Sequence, residues 1–348
     1  MKRSLFRDKQ NSMSVERKLS ISEAPSENFS RGLLEVEIPE LGPKISGKVR
    51  DIWVSDSGLR VMVTTDRLSA YDRVICTVPG KGQVLNLLSA FWYEETQDIV
   101  PNHLIAVPHP NVLIARQAQE TLPVEVVLRR YMAKSSTSTS VYYNYADLSR
   151  REIYGIKFPD GLKPNQEFPM GTILTPTTKA LTGHDQELTD QQAQEVVDGK
   201  LGESMWARTK AASFALFDRA SSYLASEGLI LVDTKFEFGL DKDRDLMLID
   251  ELFTPDSSRF WLGESYQQRF NAGETPKQFD KEIIRRWLAD KGFKGEGIVP
   301  VVDEEIIGKV ASAYRIPYTM ITGKELPLPS SSDLIREAIL DYRQVAES

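Results

Sequence analysis

The sequence predicts a mixed fold of antiparallel strands and covering helices, arranged as two lobes sharing a cleft or as one domain with a large appendage. Three observations predict it. The chain has 348 residues, about twice the usual domain length. From Leu33 its first third is written in short β-like runs broken by Gly, Pro and Asp. Later, one long alternating run is followed by a charged turn and a second apolar run, the pattern of a hairpin, with helical patterns on either side to cover it.

Residues 1–30 are rich in Ser and charge and poor in aromatics; they are expected to form a disordered tail because they cannot bury enough apolar surface to order themselves. Residues 31–125 read as a β-rich N-terminal lobe (KVRDIWVS, GLRVMVTTD, VLIARQ, PVEVVLRRYM) with one helix, VLNLLSAFWYEETQDIV. Residues 126–348 read as a larger α+β lobe. Within it the polar, tyrosine-rich segment 135–167 is too long for an ordinary connection and reads as a functional loop or insertion. A helix follows at SMWARTKAASFALFDRASSYLASEG, where Trp206, Phe214, Phe217, Ala220 and Leu224 recur at helical spacing and Gly228 supplies the stop. KQFDKEIIRRWLADKGF and DEEIIGKVASAYRI are two further helical patterns.

Composition excludes several classes. Hydrophobic residues make up 41% and charged residues 27% of the chain, ordinary values for a globular protein. No apolar run approaches the roughly 18 residues that cross a bilayer, so no membrane association is expected. A net charge of −7 argues against nucleic acid, which needs a cationic face. One cysteine, Cys76, leaves no intrachain disulfide and no multi-cysteine zinc site. With no apolar signal segment in view, the expected location is cytoplasmic.

Four stretches carry chemistry. In GLILVDTKFEFGLDKDRDLMLIDELF, Asp233, Lys235 and Glu237 alternate, so they line one face of a strand while Thr234, Phe236 and Phe238 line the other. Pairing across the DKDRD turn brings Asp250 beside Lys235 and Glu237 to within one or two residues of register. Like charges about 4 Å apart repel by roughly 4 kcal/mol at an effective dielectric near 20, so crowded carboxylates point to a cation between them. Mg²⁺ takes one or two such oxygens and fills its shell with phosphate and water. A salt-bridged, solvated sheet face is the alternative at equal weight.

The second stretch is GKVRDIW, residues 47–53, where Lys48 and Arg50 follow a glycine as in a hairpin that covers nucleotide phosphates; by itself it reads more simply as an exposed basic strand. Neither a Walker A loop nor, in PGKGQVLN, a full dinucleotide loop is present. Third, MGTILTPTTKALTGHDQELTD offers Lys179 for a terminal phosphate and His184 for a proton or a phosphate, against a solvated loop. Fourth, TPDSSRFW places Ser257, Ser258 and Arg259 together, a donor cluster for phosphate or carboxylate or, more plainly, a serine-capped turn.

These strings, with TTDRLSAYDRV, FDKEIIRRWL and TGKELP, resemble phosphoribosylaminoimidazole-succinocarboxamide (SAICAR) synthase from about Leu33 to Pro329. The resemblance implies an α+β, ATP-grasp-related architecture with antiparallel sheets and a nucleotide cleft between two lobes. It implies an ATP-dependent carboxylate–amine ligase of purine biosynthesis, with ATP and Mg²⁺ as cofactors. The carboxylate of CAIR is joined to the amine of L-aspartate through an acyl phosphate, giving SAICAR, ADP and phosphate. Carried over by position, Lys48 and Arg50 cover phosphates, Glu237 and Asp250 hold Mg²⁺, and Lys179 and Lys235 hold ATP phosphates and the reacting carboxylate. Arg129, Ser135, Arg259 and Ser258 bind CAIR, Asp280 is a further active-site aspartate, and Asp72 and His184 are weaker candidates for substrate.

One departure stands out. Where the family reads Arg-Gly-Tyr-Leu-x-Gly-Ser, this chain reads RRYMAKS over 129–135, with Lys134 in place of glycine. If that glycine served a left-handed backbone, lysine must alter the turn or add a cation to it. A small-molecule kinase on a related fold would share the ATP and metal residues but have no second acceptor pocket, and a non-catalytic nucleotide-binding protein should have lost a metal carboxylate or phosphate lysine. Arg129, Ser135 and Arg259 together favour the ligase. The motifs do not distinguish a monomer from a homo-oligomer.

Overall fold

Strand alternation decides where the long hairpin sits. Phe236 and Phe238 are fully buried on one face, while Lys235 and Glu237, which alternate with them, are half-buried on the other. The computed structural model describes residues 32–135, 137, 139–147, 149–179, 185–279, 281–329 and 331–347. Its first elements are β1 (Ile45–Ser46), β2 (Arg50–Val54), β3 (Leu59–Thr64), β4 (Arg67–Ala70), β5 (Arg73–Thr77), α1 (Lys81–Glu95), β6 (Leu104–His109) and β7 (Val112–Arg116). Then come β8 (Glu120–Thr121), β9 (Val124–Arg129), α2 (Val141–Tyr145), β10 (Glu152–Ile153), β11 (Ile156–Lys157), β12 (Ile173–Leu174) and β13 (Thr177–Thr178). The last are α3 (Asp190–Leu201), α4 (Met205–Ser226), β14 (Leu229–Leu240), β15 (Leu246–Ile249), β16 (Ser258–Leu262), α5 (Gly263–Asn271), α6 (Glu282–Asp290), α7 (Glu304–Thr322) and α8 (Ser332–Glu347). Every pair of these strands that is registered residue by residue is antiparallel.

The chain forms two units. The first takes residues 1–95, 105–115 and 281–348. Its five-stranded sheet runs β1-β2-β3-β7-β6, beside a separate β4-β5 hairpin. Trp53, Val63, Val112 and Ile114 from the sheet pack with Val36 and Ile38 and with Ile335 and Ile339 of α8. Those isoleucines are one helical turn apart, so one stripe of α8 is buried. The expected linear division at residue 125 therefore differs from the grouping by contact: 281–348 joins the N-terminal segment because α8 buries its apolar stripe on the sheet, α7 packs on α1 and α6 packs on α7. Gly82 at the start of α1 explains the PGKGQ string, since a Cβ at that position would lie 2.3 Å from the Thr64 carbonyl oxygen.

The second unit takes residues 96–104 and 116–280. Its seven-stranded sheet is centred on β9 and β14, with β12 and β13 on β9 and with β15, β16 and β8 on β14. Trp206, Phe217, Ala220 and Leu224 of α4 are buried as their spacing predicts, with α4 packed on β14, whereas Phe214 is only half-buried. Segment 135–167 is more than a loop. It carries α2 and the β10-β11 hairpin, and Val141, Ile153, Tyr154 and Phe158 form a small core of their own with Met132, Phe168 and Ile173. Four helices carry no helical expectation from the sequence: α2, α5, α8, and α3, which a Thr189–Gln192 capping box starts. Helix α7 also outruns its expected end, continuing through Pro317 to Thr322.

Candidate functional site

Strand β14 organises the site because it is paired on both sides. Asp233 lies opposite Arg129 of β9 and opposite Arg259 of β16. Arg129 Nη1 and Arg259 Nη1 each come within 3.3 Å of the same oxygen, Asp233 Oδ2. Arg129 is fixed further by donating from Nε to Thr175 Oγ1 at 3.0 Å. Two guanidiniums thus share one carboxylate, leaving a local excess of positive charge suited to an anion.

Two residues further along the same face the charges alternate. Lys235 Nζ donates to Glu125 Oε1 at 2.7 Å and to Glu237 Oε1 at 2.6 Å. The other oxygen of Glu237, Oε2, is bonded to Lys179 Nζ. Glu125, Lys235, Glu237 and Lys179 thereby form a continuous row of alternating charge. Burial works to lower the Lys235 pKa, but Glu237, Glu125 and Asp250 outweigh it and hold the ammonium protonated above the usual lysine range. Burial pushes the Glu125 carboxyl up, opposed by Lys235, with the negative charges of Glu237 and Asp185 adding to the rise.

The hairpin register falls within the expected tolerance: Glu237 pairs with Ile249, so Asp250 is the first residue past the ladder. There the backbone turns left-handed, with φ 66° at Asp250 and 46° at Phe253, conformations a non-glycine residue rarely adopts. The 250–257 turn is tied from within. Thr254 Oγ1 donates to Glu251 Oε2 at 2.8 Å and accepts from Ser257 N at 3.3 Å. Glu237 and Asp250 could offer hard carboxylate oxygens from adjoining chain segments, a donor type that suits Mg²⁺ with phosphate and water completing its shell. Among the described residues no group of three or more His, Cys, Asp or Glu forms a metal cage.

Other expected residues fall in varied places. Ser258 is 4% exposed, and its hydroxyl lies 2.8 Å from Thr234 Oγ1, so the structure turns it to the face opposite Arg259. Ser135 is buried, its Oγ 3.2 Å from the Thr137 hydroxyl. Lys134 does not take a left-handed backbone. Its N–H donates to Asn165 Oδ1 at 3.2 Å and the residue is exposed, so lysine replaces glycine without backbone strain; Asn165 carries the left-handed φ, 64°. Ser257 closes the turn just described. His184 and Asp280 lie outside the described residues. In the other unit, exposed Lys48 is ion-paired with Asp72. Tyr71 and Asp72 have φ 51° and 59°, two consecutive left-handed residues as in a tight hairpin turn. Glu125 and Asp233 are the site residues that sequence reasoning left without a role.

Comparison with known proteins places the chain in a family. The SAICAR synthetase family profile matches residues 44–300. A phosphoribosylaminoimidazole-succinocarboxamide synthase of Legionella pneumophila (strain Lens) is 44% identical over 310 residues, covering 88% of this chain and 96% of that protein. The chloroplastic phosphoribosylaminoimidazole-succinocarboxamide synthase of Arabidopsis thaliana is 38% identical over 321 residues, 92% of this chain and 76% of that one. Among solved structures, the SAICAR-synthase of Saccharomyces cerevisiae, complexed with SAICAR, is 32% identical with a TM-score of 0.70, over 84% of this chain and 99% of that one. From the profile match and these identities over most of its length, the chain belongs to the SAICAR synthetase family.

Proposed function

We propose that this chain is an ATP-dependent carboxylate–amine ligase that joins the carboxylate of CAIR to the amine of L-aspartate, giving SAICAR, ADP and phosphate. The observation that carries the reading is the charged face of β14. A paired-arginine end at Asp233 and a carboxylate–lysine end at Glu237 lie four residues apart on one strand, about 13 Å at the usual rise. That spacing suits an anionic substrate with a phosphate at one end and a reacting carboxylate toward the other.

A carboxylate resists attack by an amine because it would have to expel oxide. Phosphoryl transfer from ATP makes an acyl phosphate, and the aspartate amine then displaces phosphate as the amide C–N bond forms. The protein's share is positioning and charge neutralisation. Arg129 and Arg259, with Ser135, bind CAIR at its ribose phosphate end. Lys235, held protonated between Glu125 and Glu237, faces the carboxylate as negative charge passes to the leaving group. Lys179 reaches the nucleotide phosphates, Lys48 and Arg50 cover them, and Asp280 and Asp72 complete the substrate contacts. Glu237 and Asp250 would hold Mg²⁺, which supplies charge neutralisation on the polyphosphate when bound. The reading includes the family's ATP-grasp relationship, a nucleotide cleft and a cytoplasmic setting; no helix among the described residues is long and apolar enough to cross a membrane.

A coupled assay that omits each substrate in turn tests it. ADP is expected only when CAIR, ATP and L-aspartate are all present, apart from slow leakage. Vigorous ADP release from CAIR and ATP alone, with no amide product, would replace the ligase by a kinase.

A further inference from the structure

In the first unit a buried guanidinium that the mechanism above does not use is wired to the turn bearing Lys48 and Arg50. Arg67 is 7% exposed and Asp51 is 0% exposed. Arg67 Nη2 donates to Asp51 Oδ1 at 2.9 Å and to the Gly47 carbonyl at 3.0 Å. Its Nε donates to the Lys48 carbonyl at 3.3 Å, and Nη1 to the Leu34 carbonyl at 2.6 Å. Asp51 in turn accepts from Val36 N at 3.1 Å through its second oxygen. The Val49 carbonyl is held from the neighbouring residue, accepting from both Thr65 N and Thr65 Oγ1 at 2.9 Å. Three consecutive carbonyls, those of Gly47, Lys48 and Val49, are therefore held by the 65–67 segment.

A trans peptide points its N–H opposite its C=O. With the Gly47 and Lys48 carbonyls turned toward Arg67, the N–H groups of Lys48 and Val49 point away from it. We propose that Arg67 is a positioning residue for nucleotide binding: anchored by Asp51, it fixes the 47–50 turn so that the Lys48 and Val49 amides and the Lys48 and Arg50 side chains are presented together to a polyphosphate. The inference rests on the ligase reading, in which this turn covers ATP phosphates. Arginine is needed because its planar fork spans several acceptors at once, whereas a lysine ammonium is a point donor on a flexible stem.

The test uses the full chain and its Arg67→Lys variant, with ADP and magnesium chloride as the titrated probe in calorimetry. The variant, shown folded by circular dichroism, is expected to bind ADP at least about 10-fold more weakly, since small misplacements of binding groups are costly. Its KM for ATP should rise in step, while kcat at saturating ATP and the KM for CAIR stay within about twofold, a split that general loosening of the fold would not produce. A folded variant with wild-type ADP affinity overturns the inference and leaves the ligase reading intact. Hydrogen exchange on the wild-type chain gives a second reading that does not depend on the variant folding. ADP should protect the Lys48 and Val49 amides, and unchanged exchange at both overturns the inference. A wild-type chain that binds no ADP overturns both the inference and the reading beneath it.

Discussion

Lys235 has two carboxylate partners, and only one lies near it in sequence. Glu237 was legible because alternation on a strand puts residues two apart on one face; Glu125, 110 positions away, was not. In VEVVLRR it looks like any outward polar residue of an amphipathic strand, and β9 does show strict alternation of buried and half-buried positions. Only the β9–β14 register, with Phe236 opposite Val126, brings it to the lysine. Replacing Glu237 or Asp250 by alanine is expected to lower turnover at least about 100-fold, as loss of charge stabilisation does; near-normal SAICAR formation by both variants would remove the metal assignment. Cys76 gives a pH prediction. Burial pushes its thiol up to about 11, partly opposed by Lys81, against about 8.5 in an unfolded chain. Between those values the unfolded chain gives up its proton first, so this contribution to stability is complete below about pH 8.5 and is lost as pH rises toward 11. Denaturation midpoints from pH 7 to 10.5 should fall more steeply for the wild type than for Cys76→Ala; parallel curves would contradict the thiol's role.

At the scale of elements, strong periodicity was readable and weak local cues were passed over. The hairpin and α4 declare themselves by long runs at periods of 2 and 3.6 residues. Helix α8 was missed because its buried stripe is narrow: Ile335 and Ile339 are fully buried, while Leu334 and Val345 on the same helix are 54% and 76% exposed. The pattern expected for α7 stops at Ile316, yet the helix runs on with Pro317 buried within it. The narrow stripe of α8 concentrates its docking energy. Ile335→Ala is expected to destabilise the protein by about 2–5 kcal/mol, the range for a large-to-small change in a packed core, while Val345→Ala should change stability by less than about 0.5 kcal/mol. Urea denaturation of the two variants measures the contrast, and equal effects would mean that α8 is not docked through this stripe.

At the scale of the whole molecule, local pattern says nothing about which distant segments share a core. The chain passes between the two units at 95/96, 104/105, 115/116 and 280/281. The first unit therefore lacks α6, α7 and α8 until the last 68 residues arrive, residues 281–348. This orders the folding. The Arg129–Asp233 contact in the second unit closes a separation of 104 residues, whereas the Arg336–Glu40 contact that ties α8 to the first unit closes one of 296. Loop-closure entropy grows by about 0.6 kcal/mol per doubling of length, so the longer closure costs about 0.9 kcal/mol more, or roughly a fivefold slower approach. Helix α8 cannot compensate by forming early, since a helix of this length is marginal in water until its apolar stripe is covered. In refolding followed by pulsed hydrogen exchange, the amides of β9 and β14 should become protected first and those of α8 about fivefold later. Protection of α8 together with or ahead of β14 would show that a contact other than this long closure sets the order.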